Sequence, residues 1–420
     1  MRTPFAVMAV IGAALLGLWA LTDDGAAPPA PEAPPAPVAV IAERVQAIRG
    51  LRFDRVPEPA SVTPEQARRE GLEDLDRTYP SARRRADEEV LKLLALIEPE
   101  VSLREVSAST FSEGVAGYYD PRTERLRTVR GPATGSRVLA EMVLSHELDH
   151  ALEDQRFDLD LAGSGGGDDR ALARLALVEG SATALMYRYV EEHFTREEAL
   201  AGALGGAFGG TASLPPFLEA QLVWPYVGGQ RFVEALLERA GGRWTLVDLA
   251  LRTRGPASTE QVLHPEKYLR VEAPRPVRLR VDALLGEGYA RTSAGTSGEL
   301  QTRAILATAG GGGSTEAAAG WGGDRYELWQ PAGRGRADCS APCRAASVLV
   351  LRWAWDTARD EREFAAKLRQ WVVDGLGARP AGAGVWTLDG SGVAVVRRGG
   401  AVTLALAPRP ALARRLASAR

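Results

Sequence analysis

The chain has 420 residues and a formal net charge of −3, with 51 basic against 54 acidic side chains. A chain of this length can bury more than one hydrophobic core, so we expect two domains after any targeting segment. No sustained basic stripe interrupts the balanced charge, so we expect no nucleic-acid partner.

The N-terminal segment predicts export. An apolar run, PFAVMAVIGAALLGLWAL over residues 4–21, follows Arg2 and precedes Asp23 and Asp24. Its length fits a signal peptide or one short membrane span, and its charge asymmetry favours an inside N-terminus. No convincing A-x-A cleavage site follows, so residues 1–22 are favoured as an uncleaved anchor over a cleaved signal peptide. We therefore expect an extracytoplasmic protein, periplasmic or on the cell surface, that contacts the membrane through this segment.

Three predicted regions follow in chain order. Residues 23–40 contain GAAPPAPEAPPAP, a composition typical of an extended proline-rich linker. Residues 41–100 have the pattern of helices joined by short loops. Residues 114–129 predict a β-hairpin whose turn lies at residues 120–123.

Two long helices come next, and beyond them the sequence pattern changes from helical to strand-like. Helical periodicity extends over residues 136–155 and again over 170–194, with a glycine-rich stretch between them. Beyond residue 271, short strand-like runs and one helix over residues 360–376 predict a smaller α+β domain. The sequence therefore predicts an α+β protein with one helix-rich domain at 41–270 and a second domain at 271–420.

The chain has two cysteines, Cys339 and Cys343. In an exported protein a pair this close is expected to form a disulfide. A zinc knuckle would need two further ligands nearby, and the surrounding sequence offers none.

The stretch LSHELDHALEDQ carries two of the four histidines. His146 and His150 are four residues apart, so on a helix their imidazoles share one face, about 40° apart around the axis. Glu147 lies beside them, close enough to reach a water without ligating the metal. H-E-x-x-H on a helix supplies two zinc ligands and a general base.

A third ligand is predicted on the second helix. Its apolar stripe steps by three and four residues and is interrupted by Glu179. A carboxylate within a core stripe is costly unless a metal or a charged partner stabilises it. We favour Glu179 as the third ligand of one zinc ion, and the alternative is an ion pair with Arg174 or Arg188.

These motifs resemble those of the gluzincin metallopeptidases. SHELDH followed about thirty residues later by LVEGSAT is similar to their H-E-x-x-H motif with a downstream glutamate. The resemblance spans roughly residues 100–270 and implies a zincin-like domain with His146, His150 and Glu179 as ligands and Glu147 as base. It also implies that the edge strand of the hairpin aligns a peptide substrate by β-augmentation. AGYYDP, HELDHALEDQ and STEQVLHPEKY further resemble uncharacterised bacterial zincin-like proteins.

One position departs from the gluzincin pattern. Many members have an aspartate four residues after the third ligand that orients a histidine, and here that residue is Thr183. Another group must then orient the histidine, and Asp149 and Asp154 are candidates.

The group that would stabilise a developing oxyanion is less well defined. His264 is the best candidate by chemistry, with Tyr187 and Tyr226 as weaker ones, and the alternative is that His264 orders the loop before Pro265. The sequence thus predicts a zinc peptidase acting on peptides or proteins. The alternative is a catalytically silent zincin-like scaffold of the cell envelope, against which the intact Glu147 argues.

Overall fold

The computed structural model describes residues 34–131, 136–159, 169–199, 214–332 and 339–419. The predicted anchor at residues 1–22 lies outside these ranges, as does the predicted linker up to residue 33. The first described helix begins at Val38, inside the last residues of that linker. Within the described ranges, no helix is long and apolar enough to span a bilayer.

The secondary structure mixes helices with strands, as the α+β class predicted. The helices are α1 (Val38–Arg49), α2 (Pro64–Thr78), α3 (Ser81–Leu93), α4 (Leu103–Ser109), α5 (Arg137–Phe157), α6 (Asp169–His193), α7 (Pro216–Arg239), α8 (Thr245–Arg252), α9 (Thr259–Leu263), α10 (Pro265–Leu269), α11 (Asp282–Leu285), α12 (Gly298–Ala307), α13 (Ser314–Ala318), α14 (Ala358–Asp374) and α15 (Pro410–Ala417), with a π-helical turn at Thr110–Gly114. The strands are β1 (Ala60–Val62), β2 (Gly117–Asp120), β3 (Arg125–Val129), β4 (Tyr289–Gly295), β5 (Trp321–Pro331), β6 (Val348–Trp355), β7 (Arg379–Gly382), β8 (Val385–Leu388), β9 (Ser391–Arg398) and β10 (Ala401–Ala407).

The chain divides into two compact units, each made of several segments. The first contains Met1–Tyr79, Arg104–Gly165 and Ala173–Pro256, and the second contains Pro80–Leu103, Gly166–Leu172 and Ala257–Arg420. No sequence pattern indicated that residues 80–103 group with the C-terminal part of the chain. The domain limits 41–270 and 271–420 stay a prediction.

The first unit contains a small sheet of order β1-β3-β2. The predicted hairpin is confirmed, because β2 pairs with β3 in antiparallel register from Gly117↔Thr128 to Asp120↔Arg125. Strand β1 pairs with β3 in parallel. The prediction of helices alone over residues 41–100 was wrong at β1, a three-residue strand that only pairing with distant residues stabilises.

Helix α5 and most of α6, from Ala173 onwards, lie in the first unit, and both match the predicted helices. Helix α5 begins at Ser136, whose side chain accepts a hydrogen bond from the backbone N–H of Leu139. Helix α6 crosses α7 at two glycines: a Cβ on Gly180 would lie 2.2 Å from the backbone of Gly229. The two backbones are therefore in direct contact, one residue beyond Glu179.

The second unit is built on a seven-stranded antiparallel sheet of order β4-β5-β6-β10-β9-β8-β7. The central strand β10 is buried along its whole length, since all seven residues of Ala401–Ala407 are buried. Helix α14 begins with a capping box formed by Thr357 and Asp360. Cys339 and Cys343 form the predicted disulfide.

Candidate metal centre

Helices α5 and α6 bring the three predicted ligands together. The Nε2 atoms of His146 and His150 lie 3.0 Å apart. Oε2 of Glu179 lies 3.2 Å from Nε2 of His146 and 3.5 Å from Nε2 of His150. All three side chains are buried, with exposed fractions of 7% for His146, 0% for His150 and 1% for Glu179.

This triangle of donor atoms has the size that a zinc site requires. Ligand bonds of about 2.0–2.1 Å in tetrahedral geometry place the donor atoms roughly 3.3 Å apart. The three observed separations, 3.0, 3.2 and 3.5 Å, bracket that value. Two imidazoles and one carboxylate are also a ligand set that catalytic zinc uses, and three ligands leave a fourth position open. The residues present therefore fit a zinc ion.

Glu179 contacts both imidazoles. Burial raises the pKa of Glu179, but His150 and His146 offset this and hold that pKa below its usual value. Of the two arginines in the alternative, Arg188 lies 3.8 Å from Glu234. Glu179 itself contacts the two histidines. Oε1 of Glu179 has no hydrogen-bond partner among the described residues.

Glu147 lies on α5 beside His146 and faces strand β2. It is 2% exposed, and its Oε2 lacks a hydrogen-bond partner in the described part of the chain. Its carboxylate accepts a hydrogen bond from the backbone N–H of Tyr119, and burial raises the pKa of Glu147 to about 8. A buried carboxyl with a raised pKa beside a metal-ligand set has the properties of a general base.

Gly117 lets strand β2 approach α5 closely. A Cβ on Gly117 would lie 2.8 Å from Cγ1 of Val143 and 3.4 Å from Cγ of Glu147. Strand β2 lies at one edge of the small sheet, and its backbone runs beside the carboxylate of Glu147.

A buried cluster of charged residues connects α1 with α5 and α6, the helices that carry His146, His150 and Glu179. Arg49 on α1 lies 2.7 Å from Glu153 and 3.3 Å from Asp149, both on α5, and its guanidinium stacks over Trp244. Glu153 in turn accepts a hydrogen bond of 2.5 Å from Ser181 on α6. Because Glu153 bridges α1, α5 and α6, it fixes the spacing between the histidines and Glu179.

The two aspartates considered as orienting groups have other partners. Asp149 pairs with Arg49, and Asp154 accepts the hydroxyl hydrogen of Tyr119 at 2.8 Å. Nδ1 of His150 and Oγ1 of Thr183 have no hydrogen-bond partner among the residues described. The prediction that Asp149 or Asp154 orients a ligand histidine therefore gains no support from these contacts.

His264 lies in the second unit, between α9 and α10. Its Nε2 lies 3.1 Å from the carboxylate of Glu299, and this hydrogen bond raises the pKa of His264. The contact supports the alternative of a histidine that orders its loop. The catalytic role of His264 stays a prediction.

Of the two tyrosines considered as weaker candidates, Tyr226 lies beside His146. Its ring stacks against that of His146 with centroids 6.0 Å apart and an interplanar angle of 26°. Pro225, inside α7, immediately precedes Tyr226. Tyr187, on α6, has its pKa raised by burial.

The sequence did not reveal Arg49, Gly117 or the backbone of Tyr119 as parts of this site. Arg49 is the last residue of an amphipathic helix, where an arginine is ordinarily solvated. The sequence GYYD begins with a glycine, which could indicate that another element packs closely against this strand. The sequence alone does not show that this element is α5.

The comparison with protein families gives one match. Residues 285–417 match the model of a domain of unknown function (DUF8575). No curated protein and no solved structure matches the chain. The matched residues lie in the second unit and include none of the three candidate ligands, so the site is interpreted from its geometry alone.

Proposed function

We propose that this protein is a zinc-dependent peptidase of the gluzincin type, with zinc held by His146, His150 and Glu179. The observation that carries the proposal is the convergence of three buried donor atoms 3.0–3.5 Å apart beside the buried carboxyl of Glu147, whose Oε2 has no hydrogen-bond partner among the described residues. Export and membrane attachment through residues 1–22 belong to the same proposal.

Bound zinc would act as a Lewis acid on the substrate carbonyl and would lower the pKa of water at the open position. Glu147 accepts the proton of the attacking water and later delivers it to the leaving amine. A nearby cation favours the ionised carboxylate, which counteracts the effect of burial on the pKa of Glu147. The backbone N–H of Tyr119 holds the carboxylate in place.

A peptide substrate would lie along the outer edge of β2. An edge strand can pair its outward backbone groups with an extended chain, and this edge runs beside Glu147, which already accepts the N–H of Tyr119. Gly117 keeps the strand close enough for a peptide paired with it to reach the base.

The alternative, a catalytically silent scaffold, does not account for the burial of Glu147 beside the three candidate ligands. A structural zinc site has four protein ligands and needs no base. Here three candidate ligands converge among the described residues, and a second glutamate, Glu147, is buried beside them. Burying Glu147 without a function would cost free energy for no gain.

The test compares variants of the two glutamates. Glu147→Gln should keep about one equivalent of zinc yet lose peptide hydrolysis by about 10² to 10⁴-fold, the usual scale for a general base. Glu179→Ala should lose zinc affinity and stability together, because it removes a ligand and leaves a cavity between α5 and α6. Glu179→Gln keeps the side-chain volume and isolates the loss of charge. Glu191→Gln, on the exposed face of α6, is the matched control.

Two outcomes would reject the proposal. If Glu147→Gln loses zinc while Glu179→Ala retains it, the roles are reversed. If the zinc-loaded wild type cuts nothing in a broad peptide library, the scaffold alternative is favoured.

A further inference from the structure

The second unit contains a cavity of about 720 Å³ that is rich in arginine. Its lining includes Arg275, Arg278, Arg280 and Arg352, against the acidic Asp356 and Glu361. Asp356 lies 2.5 Å from Nζ of Lys267, which is shared with Glu260, and 3.8 Å from Arg275. Four arginines thus face two carboxylates. The cavity therefore has an excess of positive charge, which favours an anionic ligand.

The four arginines fall into two pairs. Arg275 donates to the backbone oxygen of Trp355 at 2.8 Å, and Arg352 donates to that of Ala419 at 3.3 Å, so both are held in position. Arg278 and Arg280 are exposed and have no hydrogen-bond or ion-pair partner in the described ranges. Their guanidinium groups are available to a ligand.

The backbone around Arg278 and Arg280 is also free of backbone hydrogen bonds among the described residues. Residues 276–280 belong to no helix or strand, and none of their backbone N–H groups has a backbone acceptor within the described chain. Burial alternates along this segment, since Leu279 and Val281 pack on a hydrophobic cluster while Arg278 and Arg280 are exposed. This period of two is typical of an extended chain.

An extended segment with free backbone groups can accept one more strand. Alternate side chains on a strand are about 6.6–6.8 Å apart, so Arg278 and Arg280 match acidic residues at alternate positions of a partner strand. The cavity volume lies in the range of small-ligand pockets, which suits a few residues of peptide.

We propose that this cleft, defined by residues 275–280, Arg352 and the Gly399–Gly400 turn, binds an extended acidic polypeptide segment. The partner chain pairs with the backbone of residues 276–280, and its carboxylates pair with Arg278 and Arg280. The proposal does not depend on the peptidase function, because it uses other residues in the other compact unit.

The experiment measures peptide binding to the full chain, purified in detergent, by fluorescence anisotropy. The probe is a labelled octapeptide with glutamate at alternate positions, compared with the same peptide carrying glutamine and with an analogue N-methylated at alternate amides. We expect binding of the glutamate peptide, weakening as salt increases, and at least about fivefold weaker binding of each comparison peptide.

Arg278→Gln/Arg280→Gln should weaken binding of the glutamate peptide by at least about fivefold, since two charge pairs are removed. Arg379→Gln/Arg409→Gln removes the same charge from exposed positions outside the cavity lining and should leave binding unchanged. Both changed pairs are exposed, and circular dichroism would verify folding.

Three results would overturn the proposal. If Arg278→Gln/Arg280→Gln binds the glutamate peptide as tightly as the unchanged protein does, the cleft is not the binding site. Equal binding of the N-methylated peptide would contradict strand pairing. The third result concerns competitors of the labelled peptide. If inorganic phosphate or a sulfated glycan displaces it at a concentration at which the unlabelled glutamate peptide does not, the cleft binds a different anion.

Discussion

Replacing Gly229 by alanine tests how closely α6, the helix that carries Glu179, is packed. The added Cβ would lie 1.9 Å from the backbone oxygen of Ala176 and 3.1 Å from Cα of Gly180. Neither contact involves a flexible side chain, so the helices must separate by about 1 Å, an overpacking that costs roughly 1–3 kcal/mol. For a unit of this size, a cost of about 2 kcal/mol lowers Tm by roughly 4–8 °C.

The same displacement should weaken metal binding. Ligand atoms must lie within about 0.2 Å of their ideal distances, so a shift of α6 should lower zinc affinity at least about tenfold. Thermal unfolding by circular dichroism and zinc titration against a competing chelator measure the two effects. Gly255→Ala is the control, because its Cβ would make an ordinary contact of 3.4 Å with Arg174. If Gly229→Ala matches that control in both assays, the close crossing of α6 and α7 is wrong.

Three further predictions concern other parts of the chain. Arg49→Met should cost about 3–5 kcal/mol in urea unfolding at pH 8, because it leaves buried carboxylates without their cation. Burial raises the pKa of Asp149 well above its unfolded value, so the variant should regain stability as pH falls to 5, and equal losses at both pH values would contradict this. His264→Gln should lose about 1 kcal/mol at pH 6 and little at pH 9, because Glu299 raises the pKa of His264 and the charged pair disappears as pH rises through that pKa. If His264 instead donates to an oxyanion, the variant loses about 10²-fold in kcat with a pH-independent change in stability. Cys339 and Cys343 should resist thiol labelling before reduction in protein recovered from the cell envelope, whereas labelling without reductant would show free thiols.

Local sequence periodicity predicted most of what positions the ligands. The spacing of apolar residues defined α5 and α6, and the four-residue interval placed His146 and His150 on one face. Glu179 was found because a carboxylate interrupted an apolar stripe. Each of these inferences uses neighbours within one or two helical turns, where sequence distance and spatial distance agree.

Contacts between distant segments could not be predicted in this way. Arg49 becomes buried because α1 packs against α5, about a hundred residues away in sequence. Strand β1 has three residues and is defined by its parallel pairing with β3. The contact of Gly180 with Gly229 requires the crossing of two helices to be known. In each case the residue type is ordinary, and tertiary packing gives it its role.

Zinc-edge X-ray absorption on the purified protein, with metal content measured on the same sample, tests the central claim most directly. The account predicts about one zinc per chain, bound by two imidazole nitrogens and by oxygen donors at about 2.0–2.2 Å, with no sulfur in the first coordination sphere. A folded protein that binds no stoichiometric zinc, or a spectrum without two imidazoles, would contradict it.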